Sequence, residues 1–541
     1  MLSSLMLVAL ALRVKGIGTT NLWYDEANSW YVAHLSWPAL IDNVRSSPLG
    51  PLYFVFLKLW MTLFGDSEAA LRTPSLIASL LVIPATYVIG ARVFTRRAAA
   101  LGASLLTISP LQLYFAQEAR MYMPLTLMAV LAFIAYLRWR DATFAPDTGG
   151  ATCDPGSARP ASRVRAWRAL AWYTIIGTAM VHTNIVSATF IAALNVDAAR
   201  LLIRHGSGRK RSQHRGAGSD AADAAARTGQ RPRAAIAWIA ANAIIAVTLL
   251  LYARGVRLNL AGASQEWRSS PGAVSALRAL FEYPLVALHG VYYYPRDFSA
   301  AAASFQGDGS ISTFLHMAEL FVVQPLALII AVIVLGAGAA RFFNGSRRSI
   351  ALAVVIPLIL GTTISAWREV DLARYFLFAS PFLYLLLGFG VERLSESSGA
   401  ASGALAFAIL LLVSAFGIRG YERVDTRDSD YRPVVSAIAH ERNRAGAIFV
   451  LPEKAAEPLY YYLRHERVAP VYPAKSPSVV ARSLSHTPGE PAWLVLDYRS
   501  RLYDDSPAEL GEGIGARLLG DRYFSAGGGG VRLVLLEHPL K

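Results

Sequence analysis

The stretch LGPLYFVFLKLWMTLF, residues 49–64, decides how the rest of the chain is threaded through a membrane. It is apolar, but it is short, follows Pro48 and carries Lys58 near its middle. A helix needs about 20 mostly apolar residues to cross a bilayer. If this stretch crossed, every later segment would lie on the opposite side, so its status determines the topology.

The composition of the 541-residue chain indicates a membrane protein. Hydrophobic residues make up 54% and charged residues only 16%, whereas soluble domains carry about 25% charge. The formal net charge is +15, but the basic residues lie in connectors between apolar runs, which favours membrane orientation over nucleic-acid binding. A single cysteine, Cys153, excludes an intramolecular disulfide framework and argues against a cysteine metal cluster.

Eleven apolar runs are predicted to span the membrane: 2–16, 74–92, 98–115, 122–138, 167–183, 185–203, 234–253, 316–339, 349–366, 374–392 and 401–418. Four strongly basic connectors follow one another at alternate turns: 92–97, 138–168, 204–233 and 341–348. They share one side only if 49–64 does not cross, and basic connectors are typical of the cytoplasm. We therefore predict an inside N-terminus, with 49–64 as an amphipathic or re-entrant helix at the outer interface.

This topology divides the chain into two predicted domains, a membrane domain at 1–418 and an extracytoplasmic domain at 419–541. The loops 17–73 and 254–315 then lie outside. The last part contains four short apolar strand patterns, GAIFVLP, VAPVYP, AWLVLDY and VRLVLLEHP. They alternate with helical stretches near 431–443 and 455–464, which predicts a small α/β domain. The fold class is thus an α-helical polytopic membrane protein with outer interfacial helices and a C-terminal α/β domain.

Two inside connectors and the first apolar run require separate predictions. The connectors 140–166 and 205–233 are rich in Gly, Ala, Pro, Ser and Arg, so we predict that they are disordered. The first run contains Ala-Leu-Ala at 9–11, which resembles a signal-peptide cleavage site. No basic region precedes it, so we favour a retained anchor.

Two adjacent acids, Asp25 and Glu26, follow the first apolar run within the motif WYDEA. The apolar spacing after them predicts an interfacial helix with Asp25 as its N-cap. Asp25 could serve only as that cap, while the surrounding aromatic residues anchor the helix among lipid headgroups. The alternative is a functional site on the outer side.

A second acidic motif, SPLQLYFAQEARMYMP at 109–124, places Glu118 and Arg120 in a very short outer turn beside Tyr122. A surface Glu–Arg pair would contribute little to stability. Ionisable residues that face a cavity at a membrane boundary, however, usually have a function. Asp25 and Glu118 are both predicted at the outer face of the membrane, and aromatic residues flank both. This favours a functional site over a helix cap at Asp25 and a surface ion pair at Glu118.

Basic residues recur at a third outer position, WREVDLARY, where Arg368 and Arg374 flank Asp371 and Tyr375 follows. The two arginines are either anchors that reach the interface or a clamp for phosphate, which guanidinium groups bind bidentately. His182 at an outer span end is either a boundary residue or a catalyst. Motifs for zinc proteolysis, nucleotide hydrolysis and serine hydrolysis are absent from the sequence.

The order of these motifs resembles that of the GT-C membrane glycosyltransferases. WYDEA, FGDSEAALRTPS, SPLQLYFAQEARMY and ARYFLFASPFLYLLLGFG follow one another as in the bacterial relatives of protein O-mannosyltransferases and of lipid A aminoarabinose transferase. The likeness covers about 1–420 and is most specific in the first 125 residues. It implies a polyprenyl-phosphate sugar donor, no nucleotide sugar, and a site on the periplasmic face of a bacterial inner membrane.

The resemblance also implies roles for particular residues. Asp25 matches the catalytic acid of the first outer loop, with Glu26 as its neighbour, and Glu118 matches the acid of the second. The substrate-binding residues are then Tyr24, Arg120, Tyr122, His182, Arg368, Arg374 and Tyr375, with Arg374 the candidate for the lipid phosphate. In one departure, relatives often carry an acid shortly before paired prolines, where NVRSSPLGP has Arg45 and Ser47.

The chemistry of such a transfer needs a base for the acceptor hydroxyl group and compensation for charge on the leaving phosphate. We predict Asp25 as the base in a single inverting displacement of a hexosyl or pentosyl group, with arginines or a divalent cation (Mg²⁺ or Mn²⁺) at the phosphate. The acceptor is a lipid, a glycan or a protein. Two alternatives stay open at this point, a transporter or flippase for lipid-linked sugars and a ligase or polymerase for lipid-linked glycans.

Overall fold

The computed structural model describes most of the chain, in these ranges: 1–45, 50–144, 155–207, 220–250, 280, 283, 286–289, 322–367, 372–423, 429–486, 489–498, 500, 502–526 and 529–537. Most of the predicted outer loop 254–315 lies outside them. So do residues 368–371 of the third basic motif, which include Arg368 and Asp371.

Helices make up the regular structure of the described residues as far as Arg423. Those of the first half are α1 Leu2–Val14, α2 Tyr24–His34, α3 Trp37–Arg45, α4 Pro51–Phe64, α5 Glu68–Val93, α6 Arg96–Ile108, α7 Pro110–Ala116, α8 Tyr122–Phe144, α9 Pro155–Thr183, α10 Ala188–Ser207 and α11 Asp220–Leu249. Then follow α12 Gln324–Phe342, α13 Arg347–Trp367, the short α14 Leu372–Tyr375, α15 Ser380–Ser398 and α16 Ala400–Arg423.

The described helices confirm a polytopic membrane fold. Eight of them are long and apolar enough to cross a bilayer, and the bent pair α6–α7 is a ninth if it forms one span. Each of these corresponds to one of the eleven predicted runs. The other two runs coincide with α9 and with α1, which is apolar but only 13 residues long.

The run predicted at 98–115 forms two helices, because the chain bends by 56° between α6 and α7. Pro110 opens α7 and cannot donate a backbone hydrogen bond into the preceding turn. Arg13, which is fully buried, donates instead to the carbonyl groups of Thr107 (2.9 Å) and Leu106 (3.4 Å). The break therefore keeps its polar groups satisfied within the protein.

Lys58, the charge in the deciding stretch, has a specific partner. Its Nζ atom donates to the carbonyl oxygens of Ala33 (3.0 Å) and Leu35 (2.6 Å), at the C-terminal end of α2. A cation is favourable there because carbonyl groups at a helix C-terminus carry partial negative charge. α4 is only 14 residues long, or about 21 Å, so its placement at the outer interface stays a prediction.

Helices reach into both basic connectors from their ends, and the disorder of these connectors stays a prediction. α8 continues to Phe144 and α9 begins at Pro155, while α11 begins at Asp220. Alanine-rich sequence has high helix propensity, which explains why the helices extend into the connectors. The central parts of both connectors lie outside the described ranges.

The tail forms a five-stranded sheet in the order β2-β1-β3-β5-β4, which confirms the small α/β unit. The strands are β1 Ala447–Leu451, β2 Val471–Pro473, β3 Pro491–Asp497, β4 Arg517–Ala526 and β5 Gly529–Glu537. β1 is parallel to β2 and β3, and β5 is antiparallel to β3 and β4. The four strand patterns in the sequence were correct, but β4, which carries many polar residues, was missed.

Both faces of this sheet are covered by helices. Alternate residues of β1 point in opposite directions, so Ile448 and Val450 join one apolar cluster and Phe449 and Leu451 another. The helices of the tail are α17 Arg432–His440, α18 Ala456–Leu463, α19 Pro477–Ser485 and α20 Pro507–Ile514. The domain boundary at 418/419 stays a prediction, and α16 runs past it.

Candidate active site

α2 carries both acids of the WYDEA motif in its first turn. The N-cap residue is Trp23, in an extended conformation, so the prediction that Asp25 caps this helix is wrong. Carboxylates in a first turn interact favourably with the exposed backbone N–H groups of the helix. Neighbouring positions on a helix point about 100° apart, and the two acids therefore meet different surroundings.

Glu26 is completely buried in a bidentate ion pair with Arg72 of α5. The Arg72 Nε and Nη2 atoms donate to the carboxylate at 2.8 and 2.7 Å, and both side chains are 0% exposed. The backbone N–H of Ala119 donates to Glu26 Oε1 at 2.8 Å. Glu26 thus joins α2 to α5 and to the turn that contains Glu118.

Arg72 also holds the segment that leads into α2. It donates to the carbonyl oxygens of Ile17 (3.0 Å), Thr20 (3.0 Å) and Asn21 (2.8 Å). These bonds use the remaining donors of the guanidinium group, which leaves the Glu26 carboxylate in a closed network. A supporting role fits these contacts, and the catalytic role implied for Glu26 stays a prediction.

Asp25 lies between two arginines that come from distant parts of the chain. Its carboxylate forms an ion pair with Arg374 of α14, and Arg120 Nη2 lies 4.0 Å from Asp25 Oδ2. The Asp25 side chain is 18% exposed, in contrast to that of Glu26. One carboxylate and two guanidinium groups therefore meet where part of the surface is accessible.

The turn between α7 and α8 fixes Arg120 in place. Arg120 Nη1 donates to the Asp25 carbonyl oxygen (3.1 Å) and to Ser29 Oγ (3.2 Å), while Ser75 Oγ donates to the Arg120 carbonyl oxygen (3.1 Å). Gln117 Nε2 anchors the start of the turn on the carbonyl groups of residues 13 and 15. This rigid support argues against a simple surface pair.

Aromatic rings surround the two guanidinium groups. The Arg374 Cζ atom lies 4.9 Å from the Trp23 ring centre and 5.3 Å from that of Tyr122, and Arg120 Cζ lies 5.9 Å from Tyr122. Tyr375 packs edge-to-face on Tyr122 at 6.0 Å. Aromatic faces attract guanidinium groups, and such rings also stack on sugars and pack against lipid.

The other predicted residues are distributed around this cluster. Glu118 is buried, with 1% of its surface exposed, and interacts electrostatically with Tyr53 and Tyr122. Tyr24 is the first residue of α2 and is partly exposed. The backbone carbonyl of His182 packs against Gly50 so closely that a Cβ atom there would lie 1.7 Å from it. This contact brings α9 against the start of α4, and the role of the His182 side chain stays a prediction.

Four residues at or near the site were not predicted. Arg72 and Ser29 hold the carboxylates and Arg120, Trp23 covers Arg374, and Glu457 of α18 reaches α2 from the tail. Arg72 lies in FGDSEAALRTPS, one of the motifs that carried the family resemblance, which is a usable signal. Glu457 has none, because only tertiary structure brings the tail to α2.

A metal site has no support in the geometry. Within the described ranges, no group of three or more His, Cys, Asp or Glu side chains lies close enough together to hold a metal ion. We therefore derive no step that depends on a divalent cation.

Comparison with known proteins supports the same family as the motifs. Residues 46–143 match the family model described as dolichyl-phosphate-mannose-protein mannosyltransferase. The resemblance to the GT-C membrane glycosyltransferases is confirmed. The matched region contains α4 to α8, and with them Arg72, Glu118 and Arg120. This match covers less than a fifth of the chain. Together with the apolar helices it supports a multi-pass membrane protein. No curated protein matches the chain.

Solved structures with similar folds include ArnT from Cupriavidus metallidurans bound to undecaprenyl phosphate, at 16% identity and a TM-score of 0.42, with 98% of this chain and 97% of that chain covered. They also include the oligosaccharyltransferase AglB from Archaeoglobus fulgidus in complex with an inhibitory peptide and a dolichol-phosphate. That match has 14% identity and a TM-score of 0.47, and it covers 98% of this chain and 73% of that chain. At such TM-scores the likeness adds nothing to the assignment of the site.

Proposed function

We propose that the protein transfers a single sugar from a polyprenyl-phosphate donor to a hydroxyl acceptor at the periplasmic face of a bacterial inner membrane. One observation carries the proposal: the partly exposed Asp25 carboxylate lies between Arg374 and Arg120, under the rings of Trp23 and Tyr122. A base and two phosphate-binding cations are the groups that this reaction needs at one place.

The proposed reaction is a single displacement that inverts the anomeric carbon. The acceptor oxygen attacks C1 of the sugar, the bond between C1 and the phosphate oxygen breaks, and the acceptor proton passes to the Asp25 carboxylate. The lipid phosphate leaves with an additional negative charge. Arg374 and Arg120 stabilise that charge, since guanidinium groups bind phosphate oxygens bidentately.

Donor binding would also activate the base. Without donor, Arg374 pairs with Asp25, and a guanidinium partner favours the ionised carboxylate and makes it a poorer proton acceptor. A phosphate group that takes over Arg374 would release the carboxylate at the moment when a base is needed. We infer that the Asp25–Arg374 pair is the resting arrangement.

The proposal is tested with the full-length protein in detergent or lipid discs and with three labelled donor classes. These are short-chain polyprenyl-phosphate sugars (mannose, glucose and aminoarabinose), polyprenyl-diphosphate oligosaccharides, and nucleotide sugars. We expect sugar release or transfer from at least one polyprenyl-phosphate sugar and none from nucleotide sugars. The anomeric configuration of the first product, read by NMR, tests inversion.

Two results would contradict the proposal. Turnover of diphosphate oligosaccharides alone would favour a ligase or polymerase of lipid-linked glycans. Saturable donor binding without cleavage of any donor would favour a transporter of lipid-linked sugars, in which Asp25 and the two arginines recognise the headgroup.

A further inference from the structure

The tail contacts the helix that carries Asp25. α18 lies against α2, with Tyr460 stacked on Tyr31 at 5.8 Å and Tyr461 edge-to-face on Trp30 at 5.2 Å between ring centres. The hydroxyl group of Tyr462, next in the chain, accepts a hydrogen bond of 2.7 Å from the backbone N–H of Leu22. Three successive tyrosines thus fix α18 to the first outer segment.

The loop that precedes α5 strengthens this contact. Asp66 accepts from Trp30 Nε1 at 3.0 Å and pairs with Arg464 at 3.2 Å, and its carbonyl oxygen accepts from the Tyr461 hydroxyl group at 3.0 Å. Residues 460–464 therefore hold the C-terminal half of α18 against α2 and the loop before α5.

Glu457, in the first turn of α18, is the acidic residue that this docking brings to α2. Asn28 Nδ2 donates to Glu457 Oε1 at 3.0 Å. Asn28 follows Asp25 by three positions, so the two side chains lie on the same face of the helix. The second oxygen, Glu457 Oε2, is buried and has no hydrogen-bond partner among the described residues.

The surroundings of Glu457 make its charge sensitive to pH. Burial raises its pKa to about 7, while the hydrogen bond from Asn28 and the positive charges of Lys454 and Arg120 oppose that increase. A carboxyl group of this kind changes its charge near neutral pH, where general acids and bases are most effective. Asp25, in contrast, has a guanidinium partner on each side.

We propose that Glu457 is a further residue of the candidate active site, where its Oε2 atom accepts a hydrogen bond from the acceptor hydroxyl group. The inference rests on the proposed function and adds to it a contribution from the tail. A buried acceptor atom without a partner costs free energy, and a substrate hydroxyl group satisfies it. Glu457 then orients the acceptor, while Asp25 takes its proton.

The test uses the full-length protein with a short-chain polyprenyl-phosphate sugar that it turns over, and with glycerol as a surrogate hydroxyl acceptor. The KM for glycerol and kcat are measured over about two pH units on either side of this pKa, in the wild type and in Glu457→Gln. Ionised Glu457 accepts the hydrogen bond, so we expect the wild-type KM for glycerol to rise as pH falls through about 7 and to level off about tenfold higher.

In Glu457→Gln we expect a glycerol KM that is raised about tenfold at high pH and no longer changes near neutral pH, since an amide does not titrate. Donor KM stays within about twofold, because the phosphate is bound by other residues. Glu453→Gln is the matched control. Glu453 lies one turn earlier, is exposed and is 3.9 Å from Lys475, so this variant keeps the wild-type profile.

The outcomes separate this inference from the function on which it rests. A wild type that releases no sugar from any donor overturns the proposed function, and the inference with it. An active wild type whose pH profile and glycerol KM are unchanged in Glu457→Gln overturns the inference alone. A second result also overturns the inference: Glu457→Gln has a lower thermal midpoint, and its kcat falls by the same factor at every pH. Glu457 would then only hold α18 in place.

Discussion

Asp25 and Glu26 are adjacent in the chain and yet belong to opposite kinds of environment. Glu26 is sealed in a network with Arg72 that leaves no exposed surface, whereas Asp25 retains 18% exposure between two arginines that a phosphate could also bind. Successive helical positions point about 100° apart, so one residue faces α5 and the other faces the cluster. Adjacency in a motif is therefore no argument for a shared role.

The largest expected effect is that of Asp25→Asn, which removes the proposed base without changing its size. We expect kcat to fall about 100- to 10,000-fold, the usual contribution of general base catalysis, with the thermal midpoint unchanged. The assay is sugar release from the active polyprenyl-phosphate donor. Asp42→Asn, on the exposed face of α3, is the control, and retained activity in Asp25→Asn would remove the assignment.

A comparable effect, but on stability, is expected for Glu26→Gln. Removing one partner of a buried ion pair leaves the Arg72 charge uncompensated, which costs about 3–5 kcal/mol. Thermal unfolding in detergent measures the loss. Asp141→Asn is the control, because it breaks an ion pair with Arg92 in which both side chains are more than one-third exposed and such pairs contribute about 1 kcal/mol or less.

Glu26→Gln can also show that Glu26 is catalytic and not only structural. If Glu26→Gln unfolds at the wild-type temperature but has lost kcat, Glu26 takes part in the reaction, as the family resemblance implies. The buried network would then serve to tune a catalytic group.

A smaller effect is expected for Arg374→Ala, on the other side of Asp25. Loss of a charge-assisted contact with the donor phosphate costs about 1.5–3 kcal/mol, so the donor KM should rise about 10- to 100-fold. Arg374→Lys retains the charge but not the bidentate geometry, so its donor KM should lie between those of the wild type and Arg374→Ala. An unchanged donor KM in both variants would leave Arg374 only as the partner of Asp25.

The smallest effect is expected for Ser29→Ala. The Ser29 hydroxyl group accepts a 3.2 Å hydrogen bond from Arg120 and donates to the Asp25 carbonyl oxygen at 3.1 Å. Its loss should cost about 1 kcal/mol, seen as a roughly fivefold rise in donor KM with little change in stability. A large loss of stability would instead place Ser29 with the Glu26 network.

Some parts of the site were accessible from sequence because they depend on local patterns. The aromatic residues around WYDEA, and the position of Glu118 and Arg120 in one short turn, predicted a site near these residues. Its outer location stays a prediction. The distinction between Asp25 and Glu26 was not accessible, because it depends on Arg72 and Arg374, which approach α2 from different helices. Glu457 was invisible for the same reason.

The polytopic class, the location of most spans and four of the five strands of the tail could be predicted from the sequence. These follow from the length of apolar runs and from period-two alternation, which are properties of neighbouring residues. Three features required the folded structure: the bend at Pro110, the burial of Glu26 and the contact of Asp25 with Arg120, which is 95 positions away. Contacts over such distances arise from helix packing, and packing depends on the whole chain at once.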